Sequence, residues 1–185
     1  MFAKLIADLA QALDQASIPY VVIGGQAVLI HGEPRFTRDI DVTLGIGPES
    51  LPDVLVALSR LGWSALPQDP REFVSQTMVL PCEDRSSGIR IDFIFGLTAF
   101  ETATIDRAVL VDMEGTPVKF AGAEDLVVHK MIAGRPRDLE DVVGIVAKNP
   151  SLDTTRIITT LREFEAMLEQ EFVTAFEGIW LKRDK

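Results

Sequence analysis

Two aspartates flank one isoleucine at the head of the apolar run Asp39-Ile40-Asp41-Val42-Thr43-Leu44, a pattern that few buried strands tolerate. Alternate residues of a strand share a face, so both carboxylates leave the same side with their α-carbons about 6.5 Å apart. Carboxylates so placed repel one another unless solvent or a cation lies between them, and hard oxygen ligands of this kind suit Mg²⁺. The preceding residues frame the pair. Tyr20-Val21-Val22-Ile23 is short, apolar and β-branched, as a buried strand would be. Gly24-Gly25 breaks it, Gln26 to His31 has helical character, and Gly32-Glu33-Pro34 ends that helix before a second strand over 40–44.

A third acid stands in Ile89-Arg90-Ile91-Asp92-Phe93-Ile94-Phe95, where a charge is expensive without a partner. Either Asp92 pairs with Arg90 or another base, or it completes a carboxylate set with Asp39 and Asp41. A later strand that supplies a third acid to such a pair is what a two-metal phosphoryl-transfer site requires. Gly24 and Gly25 sit where a strand turns into a helix, so the backbone can approach a phosphate while helix N-terminal N–H groups face it. An ordinary strand-to-helix turn needs the same residues.

The other elements follow from periodicity. Residues 2 to 16 carry Phe2, Leu5, Ile6, Leu9, Ala10 and Leu13 at helical spacing, and 51 to 61 repeat the pattern with Gly62 as the stop. Phe73 to Leu80 and Ile89 to Phe95 are expected to be neighbouring strands joined by the loop Pro81 to Gly88. Ala108 to Met113 and Pro117 to Phe120 suggest a hairpin around Glu114-Gly115. From Ala123 onward the pattern is helical, with segments near 123–133, 137–147, 153–169 and 171–181, the second entered through Pro136. The expected fold is α+β: a mixed, mostly antiparallel sheet flanked by helices. One domain over 1–185 is expected, with an α/β core over 1–121 and a helical region over 122–185.

With 47% hydrophobic residues and a mean hydropathy of +0.20, 185 residues suffice for one sizeable core. No stretch approaches a membrane span or a signal peptide's apolar region, so a cytoplasmic protein without membrane association is expected. The single cysteine, Cys82, lies in an acidic setting that gives no reason for a lowered thiol pKa. A net charge of −10 disfavours non-specific adhesion to DNA, so an anionic substrate needs local cations or divalent metal. Arg35, Arg38 and Lys130 are candidates, with Thr37 between the two arginines. Lys130 lies among Leu126, Val127, Met131 and Ile132, so its charged end should reach a rim or meet an anion. Asp138 and Asp141 share one face of the helix after Pro136, where Asp138 could favour the helix dipole or orient Lys130. His31 and His129 have no nearby cysteine or further histidine that would make a zinc site.

Val22-Ile23-Gly24-Gly25 followed by Asp39-Ile40-Asp41-Val42 resembles the signature of the DNA polymerase β-like nucleotidyltransferase superfamily. Ile18 to Ala27, His31-Gly32, Pro34 to Asp41, and Lys130-Met131-Ile132-Ala133-Gly134-Arg135-Pro136-Arg137-Asp138-Leu139-Glu140-Asp141 are similar to the small prokaryotic members grouped with AbiEii-type toxins. The resemblance implies a nucleotidyltransferase fold and a Mg²⁺-dependent transfer of a nucleoside monophosphate from an NTP to an acceptor. It further implies that Asp39 and Asp41 hold two metal ions and that Asp92 holds the one nearer the acceptor and draws its proton. Gly24, Gly25, Arg35, Thr37, Arg38 and Lys130 would meet the nucleotide, with Asp138 orienting Lys130. The implied acceptor is a tRNA or a partner protein, in a toxin–antitoxin or phage-defence setting. A catalytically silent nucleotide- or partner-binding module, and transfer to a small molecule such as an antibiotic, are the alternatives.

Overall fold

The computed structural model describes residues 1–183, so the last two residues of the expected helical region lie outside the described residues. The elements run α1 (Phe2–Gln15), β1 (Tyr20–Ile23), α2 (Gly24–His31), β2 (Asp39–Leu44), α3 (Leu51–Arg60), β3 (Trp63–Ala65), α4 (Pro70–Thr77), β4 (Val79–Asp84), β5 (Ile89–Phe95), α5 (Ala99–Asp106), β6 (Val109–Met113), β7 (Thr116–Phe120), α6 (Ala123–Ala133), α7 (Pro136–Lys148), α8 (Thr154–Leu168) and α9 (Val173–Trp180). The chain divides into two compact units. One comprises residues 1–26 and 37–121, the other 27–36 and 122–185, and the crossing from the first to the second falls within α2.

The first unit holds a seven-stranded sheet in the order β3-β4-β5-β2-β1-β7-β6. Four of its six pairings are antiparallel, and β2 with β5 and β1 with β7 are parallel, so the sheet is mixed and mostly antiparallel as expected. Alternation decides its two faces. Tyr20, Val22, Ile40, Val42, Leu44, Ile91 and Phe93 are fully buried, while Asp39, Asp41, Arg90 and Asp92 occupy the intervening positions of β2 and β5. Each aliphatic or aromatic side chain so buried contributes about 1.5–3 kcal/mol. Val21, Ile23 and Ala121 form a second cluster with Ile94, Ile105 and Ala108, which seats α5 against the sheet.

Two expectations for the middle of the chain are corrected. Phe73 to Thr77 belong to a helix, and the strand over Val79–Asp84 takes up residues assigned above to a loop. Local chemistry explains this: Asp69 caps α4 by accepting from the Glu72 N–H at 2.9 Å, Pro70 starts the helix, and Met78 closes it at φ +57°. The strand β3 and helix α5 were not anticipated; the latter opens with a capping box in which Thr98 and Glu101 bond each other's backbone N–H.

In the second unit α6 packs on α7 and α8, and α9 packs on α7 and α8. The end of α2 is tied to α7, since Lys148 donates to the Gly32 carbonyl at 2.9 Å and Asn149 to the His31 carbonyl at 2.7 Å.

Candidate active site

Strand β1 ends at Ile23, in register with Asp41 of β2, and Gly24 then turns the chain at φ +61°. A Cβ on Gly24 would lie 1.9 Å from Asp41 Oδ2 and 2.7 Å from its Cγ, so the absent side chain is what gives the Asp41 carboxylate its place. Across the parallel pairing, Asp41 is in register with Asp92 and Asp39 with Arg90. Strands in register put these four side chains on one face of the sheet, and all three aspartates are half-buried. The expected carboxylate trio therefore comes from two adjacent strands.

Asp39 and Asp92 are each held by a neighbouring side chain. Thr37 Oγ1 donates to Asp39 Oδ1 at 3.0 Å, while Gln26, itself buried, donates to the Asp39 carbonyl at 3.3 Å. Arg90 Nε donates to Asp92 Oδ1 at 2.9 Å. That hydrogen bond, with the charges of Asp92, Asp39 and Asp41, holds the Arg90 guanidinium above its already high ordinary pKa. Among the described residues, no three His, Cys, Asp or Glu side chains converge closely enough to hold a metal ion. The donor set nevertheless fits Mg²⁺: oxygen ligands only, two of them in register on neighbouring strands, with the space beside Asp41 kept open by Gly24.

Of the residues nominated for phosphate contact, Thr37 is buried against Asp39 and Arg38 is exposed. Arg35, Lys130 and Asp138 lie in the second unit, where they form a network with Asp141 and Arg135. Lys130 is buried and donates to Asp138 Oδ1 at 2.7 Å, with Asp141 Oδ2 at 2.9 Å. Arg35 grips both oxygens of Asp141, at 2.6 and 2.9 Å, and Arg135 pairs with Asp138 Oδ2 at 2.6 Å. Burial alone would raise the pKa of Asp138 and Asp141. Hydrogen bonds and charge from Arg135 and Lys130, and from Arg35 and Lys130 respectively, outweigh it and hold both carboxyls below their ordinary value. Among the described residues, Arg35, Lys130 and Arg135 are thus drawn together around the two carboxylates.

Arg135 was not foreseen in this network, although its i,i+3 spacing from Asp138 was a signal. Glu33, the nearest acid to Arg35 in sequence, lies 3.4 Å from Lys148. Cys82 faces away from any chemistry: it is buried, and burial followed by the charge of Asp92 pushes its thiol up to about 12.

Over residues 1–183 the chain matches the family described as nucleotidyltransferase of unknown function (DUF6036). No curated protein matches its sequence significantly. Among solved structures it resembles the crystal structure of ANT(2")-Ia in complex with adenylyl-2"-tobramycin, with a TM-score of 0.60 and 17% identity over 89% of this chain and 97% of that one. It also resembles the solution structure of the antibiotic-resistance factor ANT(2'')-Ia, with a TM-score of 0.58 and 16% identity over 90% and 94%. An antigenic nucleotidyltransferase-like protein from Paracoccidioides brasiliensis gives a TM-score of 0.53 at 15% identity over 95% and 91%. At these identities the likenesses establish the fold.

Proposed function

The chain belongs to the DUF6036 nucleotidyltransferase family, and from that premise we propose that it transfers a nucleoside monophosphate from an NTP to a hydroxyl acceptor with Mg²⁺ held by Asp39, Asp41 and Asp92. The observation that carries this reading is the register of Asp41 with Asp92 on parallel strands, Asp39 being one alternation away on the same face. Bound there, the metal would neutralise charge on the triphosphate and lower the pKa of the acceptor hydroxyl. The acceptor oxygen forms a bond to the α-phosphorus, the bond to the β-phosphate oxygen breaks, and pyrophosphate leaves. Asp92 takes the hydroxyl proton. Position and charge supply the rate, without a covalent enzyme intermediate.

In this reading Gly24 and Gly25 bring backbone N–H groups at the start of α2 to the phosphates. Arg35, Thr37, Arg38 and Lys130 are the triphosphate contacts, and Asp138 orients Lys130. The gathering of Arg35, Lys130 and Arg135 around Asp138 and Asp141 supports that role. The whole of 1–185 acts as one catalytic domain in the cytoplasm; no described helix is long and apolar enough to cross a membrane. Motif likeness over Pro34 to Asp41 and Lys130 to Asp141 favours the AbiEii-like group, with a tRNA or partner-protein acceptor in a toxin–antitoxin or phage-defence system. A net charge of −10 favours the protein. A second reading, transfer to a small hydroxyl compound, is favoured by the fold shared with ANT(2")-Ia, which was solved with adenylyl-2"-tobramycin.

Calorimetric titration of each NTP, with and without Mg²⁺, into wild type and Asp39→Asn/Asp41→Asn tests the site without knowledge of the acceptor. Binding of an NTP that requires Mg²⁺ and disappears in the folded double variant is expected. A folded wild type that binds no NTP would refute the catalytic reading and leave an interaction module. Labelled NTP offered with tRNA, with cell protein and with aminoglycosides then separates the acceptor classes.

A further inference from the structure

Helix α9 stands between two grooves of opposite character. The one against α8 is lined by Phe176, Trp180 and Leu181 and carries the acid Glu177. The one against α7 has a volume of about 440 Å³, with Val143 and Ala147 of α7, Ala175 and Gly178 of α9, and Lys182 and Arg183 just beyond it in the lining. Acids outnumber bases 28 to 18 in this chain, yet among the described residues this lining holds two cations and no acid. Arg183 is fixed in place: its guanidinium lies 3.8 Å from the centre of the Trp180 ring, and Nη1 donates to the Trp180 carbonyl at 2.9 Å. We propose that the α7–α9 groove docks an amphipathic helix of a partner protein, its apolar side chains on the groove floor and its acids against Lys182 and Arg183.

The floor is apolar and open. Val143 is 53% exposed, and a Cβ on Gly178 would meet nothing within 4 Å. Small side chains at Ala147, Ala175 and Gly178 keep the facing helix surfaces low, which lets the ridge of a third helix enter. The eight residues of α9 span about 12 Å, so two turns of a partner match the groove, with anchors at i, i+3 or i+4 and i+7. Charge decides which helix enters. A chain of net charge −10 repels acidic partners over most of its surface, so acids are accepted only where cations gather. Lys182 and Arg183 over an apolar floor make such a place, and complementary charge at the rim selects the partner and its direction. A second copy of this acidic chain is disfavoured by the same repulsion. Docking here does not depend on the carboxylates of the sheet.

The experiment is fluorescence anisotropy of labelled helical peptides of about 18 residues, five turns, titrated with the full chain. One set carries Leu at i, i+3, i+4 and i+7 flanked by Glu, and the other carries the same Leu flanked by Lys. The Glu peptides are expected to bind, against the net charge of the chain. Their affinity should fall about tenfold in Lys182→Glu/Arg183→Glu, where two attractions become repulsions, and should be lost in Gly178→Leu, which fills the floor. Circular dichroism checks the fold of both variants. Failure of the Glu peptides to bind folded wild type, or an affinity unchanged in either variant, would overturn the proposal. So would Lys peptides that bind wild type more tightly than Glu peptides and are lost in Gly178→Leu. In sedimentation equilibrium the chain alone should have the same mass as Gly178→Leu; a wild-type dimer that this variant dissociates would assign the groove to a second copy and overturn the proposal likewise.

Discussion

Replacing Gly24 by alanine tests whether the turn after β1 exists to make room for Asp41. Two costs are separable. At φ +61° any residue with a Cβ sits in the left-handed region, which costs about 1–2 kcal/mol. The new methyl would also fall 1.9 Å from Asp41 Oδ2, 2.7 Å from Cγ and 2.9 Å from Cβ. Rotating the carboxylate relieves the first two contacts. The third persists, because Asp41 Cβ is fixed by a backbone in register with Ile23 and Asp92. Gly88 supplies the control: its φ is +68°, and a Cβ there meets nothing within 4 Å. Gly88→Ala should show the backbone cost alone, and Gly24→Ala that cost plus roughly 1–2 kcal/mol of overlap. At about 2–4 °C per kcal/mol for a chain of this size, the melting temperature of Gly24→Ala should fall about 5–10 °C, and that of Gly88→Ala about half as far. Calorimetric unfolding measures the stability, and titration with Mg²⁺ and NTP measures the site, where Gly24→Ala should lose binding and Gly88→Ala should keep it. Equal melting temperatures for the two variants, with nucleotide binding retained in both, would refute the idea that Gly24 is shaped to Asp41.

The buried network of the second unit yields two further expectations. Lys130→Met leaves Asp138 and Asp141 buried with one arginine each, and should cost about 3 kcal/mol and some 6–12 °C in melting temperature; an unchanged melting temperature would mean that Lys130 serves binding alone. The depressed carboxyls of Asp138 and Asp141 bind fewer protons folded than unfolded on the acid side, so their stabilisation is complete above the unfolded carboxylate value near roughly pH 4 and is lost as pH falls through the native value. The gap in urea midpoint between wild type and Asp138→Asn should stay constant from about pH 8 to 5 and close below about pH 4, whereas a gap persisting into strong acid would contradict the ion-pair origin.

Periodicity made the sheet legible where strands are buried on both faces or alternate cleanly, as in Tyr20–Ile23, Asp39–Leu44 and Ile89–Phe95. It misread Phe73 to Thr77, because a short segment with one buried residue, Val74, carries little pattern, and its helical identity resides in the Asp69 cap and Pro70. The candidate acids could be listed from the sequence, but their register could not. Nothing in Asp39-Ile40-Asp41 says that its neighbour is Ile89–Phe95, or that the pairing is parallel and aligns Asp41 with Asp92 instead of Arg90. Lys130 shows the same limit. Its apolar neighbours required a charged end that reaches a rim or meets an anion without saying which, and Asp138 and Asp141, eight and eleven residues later, are the anions that let it stay buried.

Lys130 and the Asp39–Asp41–Asp92 trio represent two ways of holding charge in a fold, and the difference decides how a neutral substitution is felt. In the network every carboxylate is shared between cations, so neutralising one member strands another in a buried setting. On the sheet the three acids are half-buried, with Arg90 facing them, and Asp41 and Asp92 oppose each other as like charges on adjacent strands. Removing charge there relieves repulsion worth about 0.2–1 kcal/mol for a directly opposed pair. The Asp39→Asn/Asp41→Asn variant should accordingly melt at the wild-type temperature or a few degrees above it while losing Mg²⁺-dependent NTP binding. Carboxylates kept for ligand binding behave in this way, whereas carboxylates kept for the fold would make the same variant melt well below wild type.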